Sequence, residues 1–199
     1  MDFKSKFLII MRAFPIQQPI LRTERLCLRP FDGNDALALQ KIANDFAVAD
    51  TTLAIEHPFT LQSAREWLNP LSSLYDNQIR ITWAITSKDL GALMGMICLI
   101  FDGILDGDAG EMGFWLGSAY WKHGYATEAG KAVLEFAFEG LEVDCLEAYH
   151  CTRNPRSGNV LRKIGFEWFL HQEDALIKWD KSESIEVYRI SGLNHQKES

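Results

Sequence analysis

The spacing of apolar positions changes period several times along the chain. Leu26-Cys27-Leu28-Arg29 alternates and runs into Pro30, which predicts a short first strand stopped by the proline. Asp32 or Asn34 can cap a following helix whose Leu37, Ala38 and Ile42 share an inward face. Thr60 caps another, with Ala64, Trp67, Leu68 and Leu71 at near-helical spacing. From Ile79 the period drops to two. Ile79, Ile81, Trp83 and Ile85 alternate with Arg80, Thr82, Ala84 and Thr86, the pattern of a half-buried strand. Ser87-Lys88-Asp89 supplies a turn, and the apolar Leu93 to Phe101 completes an antiparallel hairpin. The glycine-rich, acidic segment from Asp102 to Gly110 is expected to be a loop leading into a strand over Glu111-Met112-Gly113-Phe114-Trp115-Leu116-Gly117.

A helix then opens near Gly124, with Ala126, Ala129, Gly130, Val133, Leu134 and Ala137 on one broad face, and ends at Glu139-Gly140. Val143 to His150 reads as a strand, so strand, loop, helix and strand make a parallel crossover. Asn154-Pro155 has the order of a helix cap and a first-turn proline. Val160, Leu161 and Ile164 pack that short helix, and Gly165 stops it before an extended segment begins at Phe166. A last strand is expected over Ile185 to Ile190. The pattern predicts an α/β (α+β) fold with a mixed sheet: a leader over residues 1–20, one domain over 21–191, and a tail over 192–199.

Composition narrows the class. A chain of 199 residues, 47% apolar and 24% charged, suits one ordered globular domain. Cys27, Cys98, Cys145 and Cys151 lack paired CxxC spacing and read as reduced thiols, and His150-Cys151 lacks the further ligands of a zinc site, so no metal is expected. The apolar Phe7-Leu8-Ile9-Ile10-Met11 is too short for a secretory leader, and no run approaches the roughly 18 apolar residues of a membrane span. A cytoplasmic protein that contacts no membrane is expected. The net charge of -7, with Asp102, Asp106, Asp108 and Glu111 close together, disfavours nucleic acid and suits either a cationic partner or simple solubility.

Chemistry concentrates at Trp121-Lys122-His123-Gly124-Tyr125-Ala126-Thr127, between a strand and a helix. Successive backbone N–H groups at such a junction can hold phosphate oxygens, and the positive helix end supports them. Gly124 removes a side chain where an anion must come close. The segment is neither a Walker loop nor a dinucleotide fingerprint, and an ordinary strand-helix junction reads the same way locally.

Four motifs in order resemble the GCN5-related N-acetyltransferase (GNAT) superfamily, and within it the branch of ribosomal-protein N-terminal-amine acetyltransferases. They are Leu21-Arg22-Thr23-Glu24-Arg25-Leu26-Cys27-Leu28-Arg29-Pro30, Glu111 to Gly117, Gly124-Tyr125-Ala126-Thr127-Glu128-Ala129, and Asn154-Pro155-Arg156-Ser157 followed by Val160 to Phe166. The resemblance spans residues 21 to 190. It implies a sheet whose central parallel strands splay to admit acetyl-CoA, with the diphosphate on the backbone of His123, Gly124, Tyr125, Ala126 and Thr127. Trp121 stands where the family often has Gln or Arg. The resemblance further implies that Asn154 holds the thioester end and that Ser157 hydrogen-bonds the sulfur, protonating the thiolate as it leaves. Asn154 also reads as a plain cap, and Ser157 as an ordinary first-turn residue. Backbone N–H groups near Phe114, Trp115 and Leu116 are expected to polarise the carbonyl.

Glu111 matches a family position that in some members takes the amine proton, directly or through water; the alternatives are an end to the acidic loop or a site for a cationic substrate. His57, Tyr75 and Trp83 are candidates for the acceptor pocket and equally for packing. The expected reaction is direct transfer of an acetyl group to a primary amine. The acceptor is a protein N-terminal amine, a small amine such as an aminoglycoside or polyamine, or none if the domain only binds acyl-CoA. A homodimer, the commonest symmetric assembly, is compatible with the sequence, in which nothing fixes an interface.

Overall fold

The computed structural model describes residues 14–101 and 109–192. Eight strands form one sheet in the order β1-β2-β3-β4-β5-β6-β8-β7. They are β1 (Leu21–Arg22), β2 (Leu26–Pro30), β3 (Arg80–Ser87), β4 (Leu93–Ile100), β5 (Gly110–Leu116), β6 (Cys145–Cys151), β7 (Glu167–Lys178) and β8 (Lys181–Ser191). The helices are α1 (Ala36–Ala43), α2 (Phe46–Thr51), α3 (Leu61–Leu68), α4 (Leu71–Asp76), α5 (Tyr125–Glu135) and α6 (Pro155–Lys163).

Strand alternation divides the core in two. Ile81, Trp83 and Ile85 face one side with Ile97, Leu99 and Met112, under Ala129, Val133 and Leu134 of α5 and Leu161 of α6. Ala84, Met96, Cys98 and Trp115 face the other, under Leu39 and Ala43 of α1, Val48 and Ala49 of α2, and Ala64 of α3. The expected β3–β4 hairpin forms. The strand expected from Leu26 ends at Pro30, which pairs opposite Trp83, and a two-residue strand, Leu21–Arg22, precedes it. The helix from Gly124 is α-helical to Glu135 and then widens into a single π turn over Phe136–Gly140. The expected acidic loop lies largely outside the described residues, as do most of the leader and of the tail.

Residues 14–20, assigned to the leader, are anchored to the domain where they are described. Pro15 O accepts from Tyr75 Oη (2.6 Å), Gln18 Nε2 donates to Thr82 O (2.9 Å), and Pro19 O accepts from Trp83 Nε1 (2.8 Å). The extended segment expected after Phe166 is the twelve-residue edge strand β7, with register breaks between Trp168 and Leu170 and between Gln172 and Leu176.

The site is set by how β5 meets β6. They run parallel and pair only at Gly110–Leu146 and Glu111–Glu147. Beyond those two pairs they diverge: β5 continues to pair with β4 up to Leu116, and β6 with β8 over its whole length. Outer partners thus hold both strands while their facing edges part.

Candidate active site

A cleft of about 700 Å³ opens at this divergence. Phe114, Trp115 and Leu116 of β5 line one part, and Lys122 with Gly124, Tyr125, Ala126 and Thr127 line the entrance to α5. Asn154, Pro155, Arg156 and Ser157 line a third part, and Ala47, Val48, Asp50, Thr51 and Thr52 a fourth. The cofactor residues expected from the sequence are therefore brought together, apart from His123, which is exposed beside them and stacks on Tyr125 (centroids 5.7 Å apart).

The entrance to α5 has the geometry of an anion nest. Lys122 (φ 65°) and Gly124 (φ 82°) are both left-handed, which curls the chain around the helix start. No side chain caps this eleven-residue helix, so the N–H groups of its first turn remain directed at the cleft. Lys122, Arg153, Arg156 and Lys163 line the cleft beside one carboxylate, Asp50, so an acidic chain has built a basic cavity. Basic lining, a helix entrance and parted strands fit a long cofactor that carries phosphates at one end.

The nest is tied down by side chains the sequence reading missed. Glu128, in the first turn of α5, accepts from Thr23 Oγ1 (2.6 Å), Arg25 N (2.8 Å) and Arg25 Nε (2.6 Å). Arg25 Nη1 also donates to His123 O (3.0 Å), and its guanidinium lies 4.6 Å from the Tyr125 ring centre. Burial pushes the Glu128 carboxyl up, yet the Thr23 and Arg25 hydrogen bonds outweigh it and hold the group below the usual glutamate range. The visible clue was an acid in the first helical turn, where the helix dipole favours it. Nothing local named Arg25 as its partner.

Trp121 is explained by the splay. Its Nε1 donates to Leu116 O (2.7 Å), satisfying a carbonyl at the end of β5, and the Arg156 guanidinium lies 5.5 Å from its ring centre. Asn154 corrects a local expectation: its side chain makes no cap hydrogen bond. Nδ2 instead donates to Ser157 Oγ (3.0 Å), which leaves the hydroxyl proton of Ser157 available to another acceptor.

Glu111 is not on the cleft wall. It sits at the paired foot of the splay, beside Glu147, whose charge is met by Arg189 (Nε to Oε1, 2.7 Å). Its charge reaches Tyr149, whose phenol is pushed up to about 12 by burial first and by Glu111 next. The proposed acceptor residues separate. Trp83 is fully buried, since the alternation that made its strand legible also placed it between Ile81 and Ile85 on the core face. Tyr75 is buried beneath residues 14–20. His57 is exposed and meets the Phe46 ring edge-on (5.5 Å). None of the three lines the cleft.

A family described as "Acetyltransferase (GNAT) domain" matches residues 25–167, well over half of the chain. The chain belongs to the GNAT acetyltransferase family. It is an acetyltransferase with acetyl-CoA as its acyl donor. It is 27% identical over 150 residues to the N-acetyltransferase YoaA of Bacillus subtilis, covering 75% of this chain and 83% of that one. Among the solved structures that share the fold are two with ribosomal-protein names. One is the ribosomal L7/L12 alpha-N-protein acetyltransferase RimL in complex with coenzyme A (TM-score 0.78, 15% identity, 87% of this chain and 98% of that chain). The other is the ribosomal-protein-S5-alanine acetyltransferase of Vibrio fischeri (TM-score 0.76, 19% identity, 87% and 97%). Among the described residues no helix is long and apolar enough to cross a membrane, and no group of three or more His, Cys, Asp or Glu is placed to hold a metal ion.

Proposed function

We propose that this GNAT enzyme acetylates the α-amine at a protein N-terminus, with Ser157 as the acid and Glu111 as the base. The observation that carries the reaction geometry is the cleft between β5 and β6, with a diphosphate nest at one end and the Asn154–Ser157 pair on its wall. Acetyl-CoA supplies an activated acyl carbon; His123 to Thr127 would hold its diphosphate, and the freed N–H groups of β5 near Phe114 to Leu116 would polarise the carbonyl. Asn154 fixes Ser157 Oγ so that its proton points away from Asn154, ready for the sulfur that leaves. Glu111, three residues before Phe114 and thus roughly 10 Å along the strand, takes the proton of the attacking amine through water. A C–N bond forms, the C–S bond breaks, one proton leaves the nitrogen and one reaches the sulfur. Support for the acceptor class comes from the two fold neighbours named as ribosomal-protein acetyltransferases, one of them an alpha-N-protein acetyltransferase.

The test is an acceptor panel with mass detection: peptides with a free N-terminal Ser or Ala, the same peptides α-blocked but carrying lysine, a polyamine and an aminoglycoside. Acetylation of the free α-amines is expected; transfer only to lysine, polyamine or aminoglycoside overturns the acceptor assignment. Ser157→Ala should lower kcat about 100-fold while sparing acetyl-CoA affinity, and unchanged turnover rejects its role. Glu111→Gln should flatten the acid limb of the pH–rate profile. A limb that stays where it was removes Glu111 as base.

A further inference from the structure

One wall of the cleft is held from far away in the sequence. Helix α2 has six residues, too few to be stable by itself, yet it and the residues after it supply Ala47, Val48, Asp50, Thr51 and Thr52 to the cleft. The β7–β8 hairpin tip meets it. Lys178 is 7% exposed, and its Nζ donates to three backbone carbonyls just past α2: Thr52 O (2.9 Å), Leu53 O (3.4 Å) and Ile55 O (2.6 Å). They belong to the C-cap residue Thr52 and to Leu53 and Ile55 beyond it, so a buried ammonium fastens the segment by which the chain leaves α2. Next to it, the Trp179 ring stacks on Phe46 of α2 (6.0 Å, 22°), and Trp179 Nε1 donates to Asp50 Oδ1 (3.2 Å). Arg153 then bridges Asp50 Oδ2 (2.6 Å) and Glu183 of β8 (2.7 Å).

The turn itself carries this contact against local preference. Trp179 (φ 53°) and Asp180 (φ 57°) form a two-residue turn with both positions left-handed. Such turns favour Asn-Gly and disfavour a bulky aromatic. Tryptophan occupies the strained position and in return places its ring on α2, with the Lys178 ammonium 4.4 Å from the ring centre. Burial lowers the Lys178 pKa from the usual lysine value, as the dry seat of this ammonium requires.

The α2 wall differs in kind from the rest of the cleft. It contributes no basic side chain and, at six residues, no helix-start anion site, so the donor's phosphates have nothing to hold there. That leaves the wall to the amine. We propose that Lys178 and Trp179 form a clasp that sets the α2 wall and thereby seats the acceptor, making both of them positioning residues for acetyl transfer. The acceptor part of this inference rests on the α-amine reading above.

Lys178→Met keeps the buried stem and removes the donors, and Trp179→Gly relieves the left-handed strain while removing the ring. In the full-length enzyme both should speed amide hydrogen exchange over residues 46–55. With a peptide bearing a free N-terminal serine, KM should rise about tenfold while kcat and the CoA dissociation constant stay within about twofold. Trp179→Gly decides between a clasp and a mere turn, because glycine improves a turn of this type and impairs a clasp. If the glycine variant keeps wild-type exchange over 46–55 and wild-type KM, the clasp is overturned, whether or not Lys178→Met folds. If wild-type enzyme acetylates no such peptide, the α-amine reading fails, and exchange over 46–55 still decides whether the tip holds α2.

Discussion

The two sides of the cleft are built in different ways. The side we assign to the donor consists of the end of β5, the start of α5 and the start of α6, elements continuous with the main core and shaped by backbone: a parting of strands, a left-handed glycine, an uncapped helix. The α2 side is a six-residue helix held by side chains that begin 103 to 129 residues away. A cofactor shared across a family can be met by backbone geometry that tolerates sequence change. An acceptor that differs between enzymes is better met by a wall whose supports are exchangeable side chains.

The sharpest way to break this contrast is at Gly124. Valine there would be forced into a left-handed conformation that β-branched residues avoid, and the nest would open. CoA affinity measured by calorimetry should fall about 100-fold, by a strain of 1–3 kcal/mol and lost donors; a dissociation constant within threefold of wild type would show that the nest does not hold the diphosphate. A smaller effect is expected at Gly158 of α6, where an added Cβ would meet His150 Nε2 at 2.4 Å and Tyr188 Oη at 2.9 Å. Gly158→Ala should cost about 2 kcal/mol by overpacking and lower Tm by about 4–8 °C. An unchanged melting curve would mean that α6 floats on its seat, contrary to a rigid donor side.

The smallest effect sharpens the picture through pH. Because the Glu128 carboxyl is held below its unfolded value, its contribution is fully present above the ordinary glutamate range and is lost as pH falls through the lower, folded value. Glu128→Gln should therefore melt about 1–3 °C below wild type at neutral pH, a modest difference for a partly screened ion pair. The two curves should converge only in acid below the lowered, folded value, under the ordinary glutamate range. A gap that persists in acid would assign the effect to packing and not to the carboxylate.

The same division explains what could be read in advance. Glu111 to Gly117, the helix entrance at Gly124 and the crossover to β6 were legible because period-two alternation, a helical face and a glycine at a junction are local signals. Trp83 and Tyr75 stay ambiguous in the sequence because an aromatic residue near a suspected pocket looks alike whether it lines the pocket or fills the core; burial decides, and burial is a property of the assembled sheet. Asn154 reads as a cap from its place before Pro155, whereas its amide turns to Ser157. The Arg25–Glu128 tether and the Lys178 clasp were hidden for one reason: each joins segments more than 100 residues apart, and no spacing rule spans that distance.

The outer strand β7 carries a consequence for the molecule in a crowded solution. A twelve-residue edge with Trp168 59% exposed and Ile177 78% exposed offers a ready template for a neighbour's strand. Its two register breaks, together with left-handed Asp174, divide that template into pieces too short and too bent to zip against another chain. The irregularity thus guards colloidal behaviour. Any redesign that straightens β7 to tidy the hairpin would trade a kinked, self-limiting border for a continuous one, on which aggregation can start.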